Sequence, residues 1–228
     1  MGTSKGYLPP TTPQWRKAKS SLTSFMKSKR DGGDGRKEKA VGNYAKAHSS
    51  GSSYSAIGKA GAKIVVLFNA IAEKGLEAAL AEFGLSGLIG QDTEKLYNGL
   101  INYFSDEAGE IEDAIVRDSL SQLFIDLKID TAEDLRGIKS EDFLMSFIIR
   151  YIQVDFKTMF FEKILSGRSI AESKSIIKDI GEYIEYTIRD NYTIKDIAKI
   201  DWHGEEGKEF VSAQCRSCYS LLQAMGGE

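Results

Sequence analysis

Cysteine, histidine, proline and tryptophan are all scarce in this 228-residue chain. The two cysteines, Cys215 and Cys218, stand three positions apart. A pair that close cannot staple a chain of this size, so the sequence reads as a protein of the reducing cytosol, not as a disulfide scaffold. The two histidines, His48 and His203, leave little material for a triad or a histidine-based metal site, and His48 falls in a stretch read as flexible. No apolar h-region opens the chain, so no secretory signal is predicted. No membrane span is predicted either. The most apolar stretch, Phe143–Leu165, is interrupted by Arg150, Asp155, Lys157, Glu162 and Lys163, whereas a bilayer core needs about 20 mostly apolar residues. No alternating strand period persists over two consecutive segments, and Gly58-Lys-Ala-Gly-Ala-Lys63 lacks the spacing of a phosphate loop.

What is present is unevenly placed. All three prolines (Pro9, Pro10, Pro13) lie in the first fifteen residues, which have neither helical nor strand period. Up to Lys63 there are thirteen basic residues against three acids, a net +10, and the remainder of the chain is −13. Such a split predicts a basic segment that either seeks an anionic partner or lies on its own acidic body. Asp31-Gly-Gly-Asp-Gly35 and Ser49-Ser-Gly-Ser-Ser53 punctuate the chain. They divide it into residues 1–53, a basic Pro/Gly/Ser-rich leader with short helices over Trp15–Lys29 and Arg36–His48, and residues 54–228, an α-helical domain.

The predicted fold is all-α, a helical bundle around a buried central helix. Helices are expected over Ser55–Lys74, Leu76–Phe83, Glu94–Phe104, Glu110–Leu127, Phe143–Leu165, a segment opened by Ser169-Ile-Ala-Glu172, Thr193–Ile200 and Lys208–Met225. Ile111, Ile115, Leu120, Phe124 and Leu127 make the expected buried side of the fourth. Phe143–Leu165 is apolar almost all round and is therefore expected to be buried on every side.

Four readings of possible chemistry arise. His203-Gly-Glu205 with Cys215-Arg-Ser-Cys218 invites comparison with zinc nucleobase deaminases, but Gln214 replaces the proline and only nine residues separate the halves. A zinc site from His203, Cys215 and Cys218 lacks a fourth ligand; the alternative is two cysteines one helical turn apart, buried as small apolar groups. Met1-Gly2 fits the start of a myristoylation signal, which Gly6 then breaks. The basic segment 16–63, with Tyr7, Trp15, Tyr44 and Tyr54 interleaved, fits a nucleic-acid-binding adaptor that neutralises phosphates and stacks bases.

Met1-Gly2-Thr3-Ser4, the Gly6-Tyr7 pair, the proline run and Pro13-Gln-Trp15 ahead of a basic helix resemble the start of QatB proteins. These are the second component of the Qat (QatABCD) antiphage defence system. The likeness continues through Ser24-Phe25, Asn43-Tyr44-Ala45-Lys46, the Gly/Ser run and Leu85-Ser-Gly-Leu-Ile-Gly90, and fades after the central helix. The resemblance implies a cytoplasmic, non-enzymatic defence component in direct complex with a QueC-like enzyme, QatC. A P-loop ATPase (QatA) and a TatD-like nuclease (QatD) belong to the same system. It implies that QatC attaches a deazaguanine-type group to the Gly2 amine after Met1 removal, with Thr3, Ser4, Lys5, Gly6, Tyr7, Pro13 and Trp15 as partner-binding residues. No cofactor of its own is implied; ATP and the modifying group come through the partner. The residues suit that chemistry. An α-amino group titrates near 7.7–8.0 and is partly neutral in the cytosol, whereas lysine, near 10.4, is mostly protonated. Extended, the thirteen residues from Gly2 to Gln14 reach about 40 Å.

Overall fold

In the computed structural model, residues 10–30, 36–50, 54–105, 111–195 and 197–227 are described. Among them there are nine α-helices, three short 3-10 turns and no strand, as the helical periodicity requires. The helices are α1 (Pro13–Arg30), α2 (Lys37–Ser49), α3 (Ser55–Lys74), α4 (Leu76–Glu82), α5 (Thr93–Phe104), α6 (Ile111–Asp126), α7 (Ser140–Leu165), α8 (Ile170–Asn191) and α9 (Glu205–Met225).

The starts and stops follow local chemistry. Thr12 opens α1: its Oγ1 accepts from the Trp15 amide at 3.5 Å and its carbonyl from the Arg16 amide at 2.9 Å. Pro13 takes the first helical position, where no amide hydrogen is needed. Asp92 caps α5 by accepting from the Lys95 amide at 2.9 Å. Ser169 and Glu172 form a reciprocal box at the start of α8, the Ser169 amide donating to Glu172 at 2.8 Å and the Glu172 amide to Ser169 Oγ at 3.2 Å. At the end of α6 the chain turns through Lys128 with φ +54°, and the amides of Lys128 and Ile129 donate back to the carbonyls of Ile125 and Phe124.

The chain divides into two compact units. The first takes in residues 1–53, 152–192 and 216–228; the second takes in residues 54–151 and 193–215. The chain first passes from one unit to the other between residues 53 and 54, and residues 54–228 are shared between the two units. The first unit gathers more than the leader because α1 and α2 bury apolar faces: Trp15, Leu22, Phe25, Val41 and Tyr44 are core residues. Helices α7 and α9 each serve both units, changing between Tyr151 and Ile152 and between Cys215 and Arg216. The all-round apolar character of α7 follows, since its two halves fill two cores. Phe161 departs from the expected burial and is 44% exposed.

In the second unit Phe143 of α7 packs on Phe68 of α3 at 4.6 Å and on Phe124 of α6 at 6.2 Å between ring centres. Helix α3 meets α9 through Gly58 and Gly61. A β-carbon at Gly61 would lie 2.5 Å from Val211 Cγ1, and one at Gly58 would lie 2.4 Å from Ser212 Oγ. These two glycines thus exchange helix propensity, up to about 1 kcal/mol each, for close approach. Helix α3 is also the one helix among the described residues long and apolar enough to cross a bilayer, but 61% of its apolar window is buried within the protein, which marks it as a core helix.

Three expectations need correction. Ile111 and Leu127 are each 43% exposed, because they lie at the first residue of α6 and beyond its last, where the helical period no longer aims side chains at the core. Thr193–Ile200 forms only a 3-10 turn at Ile197–Lys199; the Trp202 indole donates to the Ile197 carbonyl at 2.8 Å, taking an acceptor that a continuing helix would use. His48, expected in a flexible stretch, is 5% exposed inside the first unit.

Candidate functional site

Of the residues singled out in the leader, Gly2, Thr3, Ser4, Lys5, Gly6 and Tyr7 lie outside the described residues. Pro13 and Trp15 lie inside them. Pro13 is exposed at the start of α1, and Trp15, two positions on, is 6% exposed. The indole of Trp15 sits 6.2 Å from the Tyr44 ring and 6.0 Å from Phe160. Trp15 is therefore an internal anchor, holding the start of α1 to α2 and α7 within the first unit.

The anchor rests on a buried polar cluster that the sequence did not announce. Asp155 of α7 is 1% exposed. Its Oδ2 accepts from the Tyr44 hydroxyl and, at 3.1 Å, from the Tyr219 hydroxyl of α9. The same oxygen lies 3.0 Å from His48 Nε2. The two hydroxyls are 3.0 Å apart, and the His48 ring stacks on Tyr219 at 4.2 Å and 3°. Phe156 closes the apolar side, 5.0 Å from Tyr44. A buried carboxylate is costly unless donors converge on it, and here three groups from two helices do so. The arrangement is closed, with every member under 9% exposed, so it fastens α2, α7 and α9 together and offers no substrate an approach. The one signal in the sequence is Asp155 itself, an acid in the middle of an apolar helix.

The zinc candidates are not brought together. His203 is exposed in the turn before α9, while Cys215 and Cys218 are wholly buried on it. Burial pushes the Cys218 thiol up to about 12, far from the thiolate a metal or a nucleophilic reaction needs. Among the described residues no three His, Cys, Asp or Glu side chains form a metal-binding group. The aromatic residues proposed to stack bases are also placed: Trp15, Tyr44 and Tyr54 are 6%, 0% and 1% exposed, and so their faces are not offered to a ligand.

The surface of the first unit carries a depression between the end of α1 and the start of α8 and a polar groove between α1 and α2, reaching the end of α9 and lined by basic side chains. A family model for the Qat anti-phage system associated protein QatB matches residues 45–222. The chain belongs to the QatB family. The match runs through α8 and almost to the end of α9, well past the central helix where the visible likeness fades, and it begins at residue 45, inside α2. No curated protein and no solved structure matches the chain. Membership of the QatB family makes this protein a component of the Qat antiphage system, and the two-unit helical fold described above is the form that this QatB sequence takes.

Proposed function

We propose that this protein is a non-enzymatic, cytoplasmic component of Qat defence that binds the QueC-like QatC directly and presents Gly2 to it for modification. QatA and QatD are its further partners in the system. Membership of the QatB family over residues 45–222 carries the reading, and the resemblance of residues 1–15 to the QatB start directs it to the N-terminus.

In the proposed step QatC uses ATP to convert a carboxylated deazaguanine into its acyl adenylate, the carboxylate attacking the α-phosphorus and diphosphate leaving. The neutral Gly2 amine attacks the acyl carbon. A C–N bond forms, the C–O bond to AMP breaks, and the amine nitrogen gives up a proton to solvent. Glycine adds no side chain to crowd the adenylate, and its α-amine is the amine of the chain most available in neutral form at cytosolic pH. The fold contributes position. Thr12 and Pro13 start α1, and Trp15 pins that start in the core, so the leader departs from a fixed point of the first unit.

Intact mass of the full chain co-expressed with QatC tests the reading. The expected species lacks Met1 and carries the mass of one deazaguanine-type acyl group on Gly2. An unmodified Gly2 beside an active QatC refutes it. Gly2→Leu, which should also retain Met1, is expected to abolish modification and defence with an unchanged thermal melt.

A further inference from the structure

The two lining faces of the α1–α2 groove are each built at helical spacing. Helix α1 contributes Lys17, Ser20 and Ser24, and the α2 side contributes Arg36, Lys39, Asn43 and Lys46. Two adjoining depressions share Lys17 and Asn43, one of them of about 350 Å³. No acidic residue lines either one.

Elsewhere on the protein several bases are paired with acids: Lys74 with Glu82, Lys95 with Asp92, Arg136 with Glu77 and Glu133, Arg189 with Glu185 and Lys208 with Glu205. Lys17, Arg36, Lys39 and Lys46 are exposed and have no ion pair among the described residues. Between them Asn43 is 8% exposed, and its side-chain amide has no hydrogen-bond partner among the described residues although it lines both depressions. An amide that reaches solvent at the floor of a groove, flanked by hydroxyls and four unneutralised cations, is suited to the oxygens of an anion.

From Arg36 to Lys46 the α2 face runs about 15 Å at 1.5 Å per residue, a length that accommodates several successive phosphates of a nucleic-acid strand. We infer that this groove binds the phosphate backbone of nucleic acid without reading its bases. The buried positions of Trp15, Tyr44 and Tyr54 remove these three as stacking platforms, so affinity rests on charge neutralisation and hydrogen bonds to phosphate oxygens. An acidic protein segment suits the groove less well, because its lining has no large apolar side chain to anchor one.

Fluorescence anisotropy of labelled 20-nucleotide single strands and duplexes, titrated with the full chain purified without QatC, tests the assignment. Four neutralised phosphates predict a plot of log affinity against log salt with a slope of about −3, and about 50- to 150-fold weaker binding at 200 mM than at 50 mM salt. Oligonucleotides of different sequence should bind alike. Lys39→Gln and Lys46→Gln should each reduce the slope by just under one, and the triple variant Lys17→Glu, Lys39→Glu, Lys46→Glu should abolish binding at 100 mM salt while keeping the wild-type melt. Lys95→Gln, whose base is paired with Asp92 in the second unit, should change nothing. Three results overturn the inference: no binding of the wild type at 50 mM salt, wild-type affinity in the triple variant, or displacement of the oligonucleotide by polyglutamate at equal charge concentration, which would make the groove a site for acidic protein. A triple variant that fails to fold leaves the two single variants to decide.

Discussion

Replacing Asp155 by Ala should be among the most damaging single changes available in the first unit. The carboxylate is 1% exposed and draws Tyr44, Tyr219 and His48 to one oxygen. Hydrogen bonds to a charged acceptor are worth about 1.5–3 kcal/mol each, but their sum overshoots because the donors retain other partners. Tyr44 and Tyr219 remain 3.0 Å from each other, and the Tyr44 hydroxyl keeps the Ile152 carbonyl at 3.4 Å. The lasting losses are the contact to His48 and the volume of the side chain. A total of about 3–5 kcal/mol follows from a buried donor left without its acceptor together with the void left by the side chain. Tyr219→Phe, by contrast, should cost about 1.5 kcal/mol, since Asp155 keeps two donors.

Urea unfolding followed by fluorescence measures both changes. Trp15 lies in the first unit and Trp202 in the second, so a Trp202→Phe background isolates the signal of the cluster. The decisive quantity is the coupling. Tyr219→Phe made on top of Asp155→Ala should cost clearly less than in the wild type, because its bond to Asp155 is already gone and only the contact with Tyr44 remains to be lost. A cost for Asp155→Ala below about 1 kcal/mol, or equal costs for Tyr219→Phe in the two backgrounds, refutes the view that Asp155 organises this core.

Lys128→Gly should stabilise the protein by about 0.5–1 kcal/mol in a urea melt, because Lys128 is exposed and held at φ +54° where glycine has no steric penalty. Gly42→Ala should destabilise by about 1–2 kcal/mol despite its gain in helix propensity, since the added carbon would lie 2.6 Å from Gly226 Cα and backbone must move. Neither cysteine should react with a thiol reagent at pH 8 in the native protein, and both should in denaturant, as Cys215 and Cys218 are buried and the Cys218 thiol is pushed up to about 12. Bonds from the Ser169 amide and then its hydroxyl hold the Glu172 carboxyl below its ordinary range. A value lowered by folding adds stability above the unfolded pKa that is lost as pH falls through the lowered one, so Glu172→Ala should lower Tm more at pH 7 than at pH 3.

The helices were legible because they are written in short-range chemistry. The periods of Leu96, Leu100 and Phe104, and the Ser169–Glu172 box, need only neighbours a turn away. The exposure of the end residues Ile111 and Leu127 is not legible in the sequence, because periodicity does not mark where a helix stops facing the core. The Asp155 cluster was illegible for another reason. It joins α2, α7 and α9 across 64 to 111 positions, and nothing local tells His48 or Tyr44 that a carboxylate will meet them. The division into units was hidden in the same way: the strongest punctuation, at 49–53, does coincide with a boundary, but the other crossings occur inside the continuous helices α7 and α9.

The charge asymmetry of the sequence posed a choice between a basic segment that lies on its own acids and one that waits for an anion. Within the first unit the structure pairs some of these bases with acids and leaves others without an acid beside them, sorted by helix face. On one side of α1, Lys29 pairs with Asp179 of α8 and donates to Ser175 at 2.9 Å. Lys17, near the other end of α1, joins the α2 residues Lys39 and Lys46 around Asn43, where no acid has been placed. Folding cost alone does not account for that arrangement, because four exposed like charges on facing helices repel each other and could have been interleaved with glutamates, as the exposed faces of α8 are through Lys178–Glu182 and Arg189–Glu185. The unneutralised face therefore predicts a stability that rises on anion binding. Adding a mixed-sequence oligonucleotide at 50 mM salt should raise the melting temperature of the wild type, and Lys39→Gln with Lys46→Gln should melt higher than the wild type without ligand and gain less from it. Identical melts for the two proteins in both conditions would mean that these cations neither repel one another nor wait for a partner.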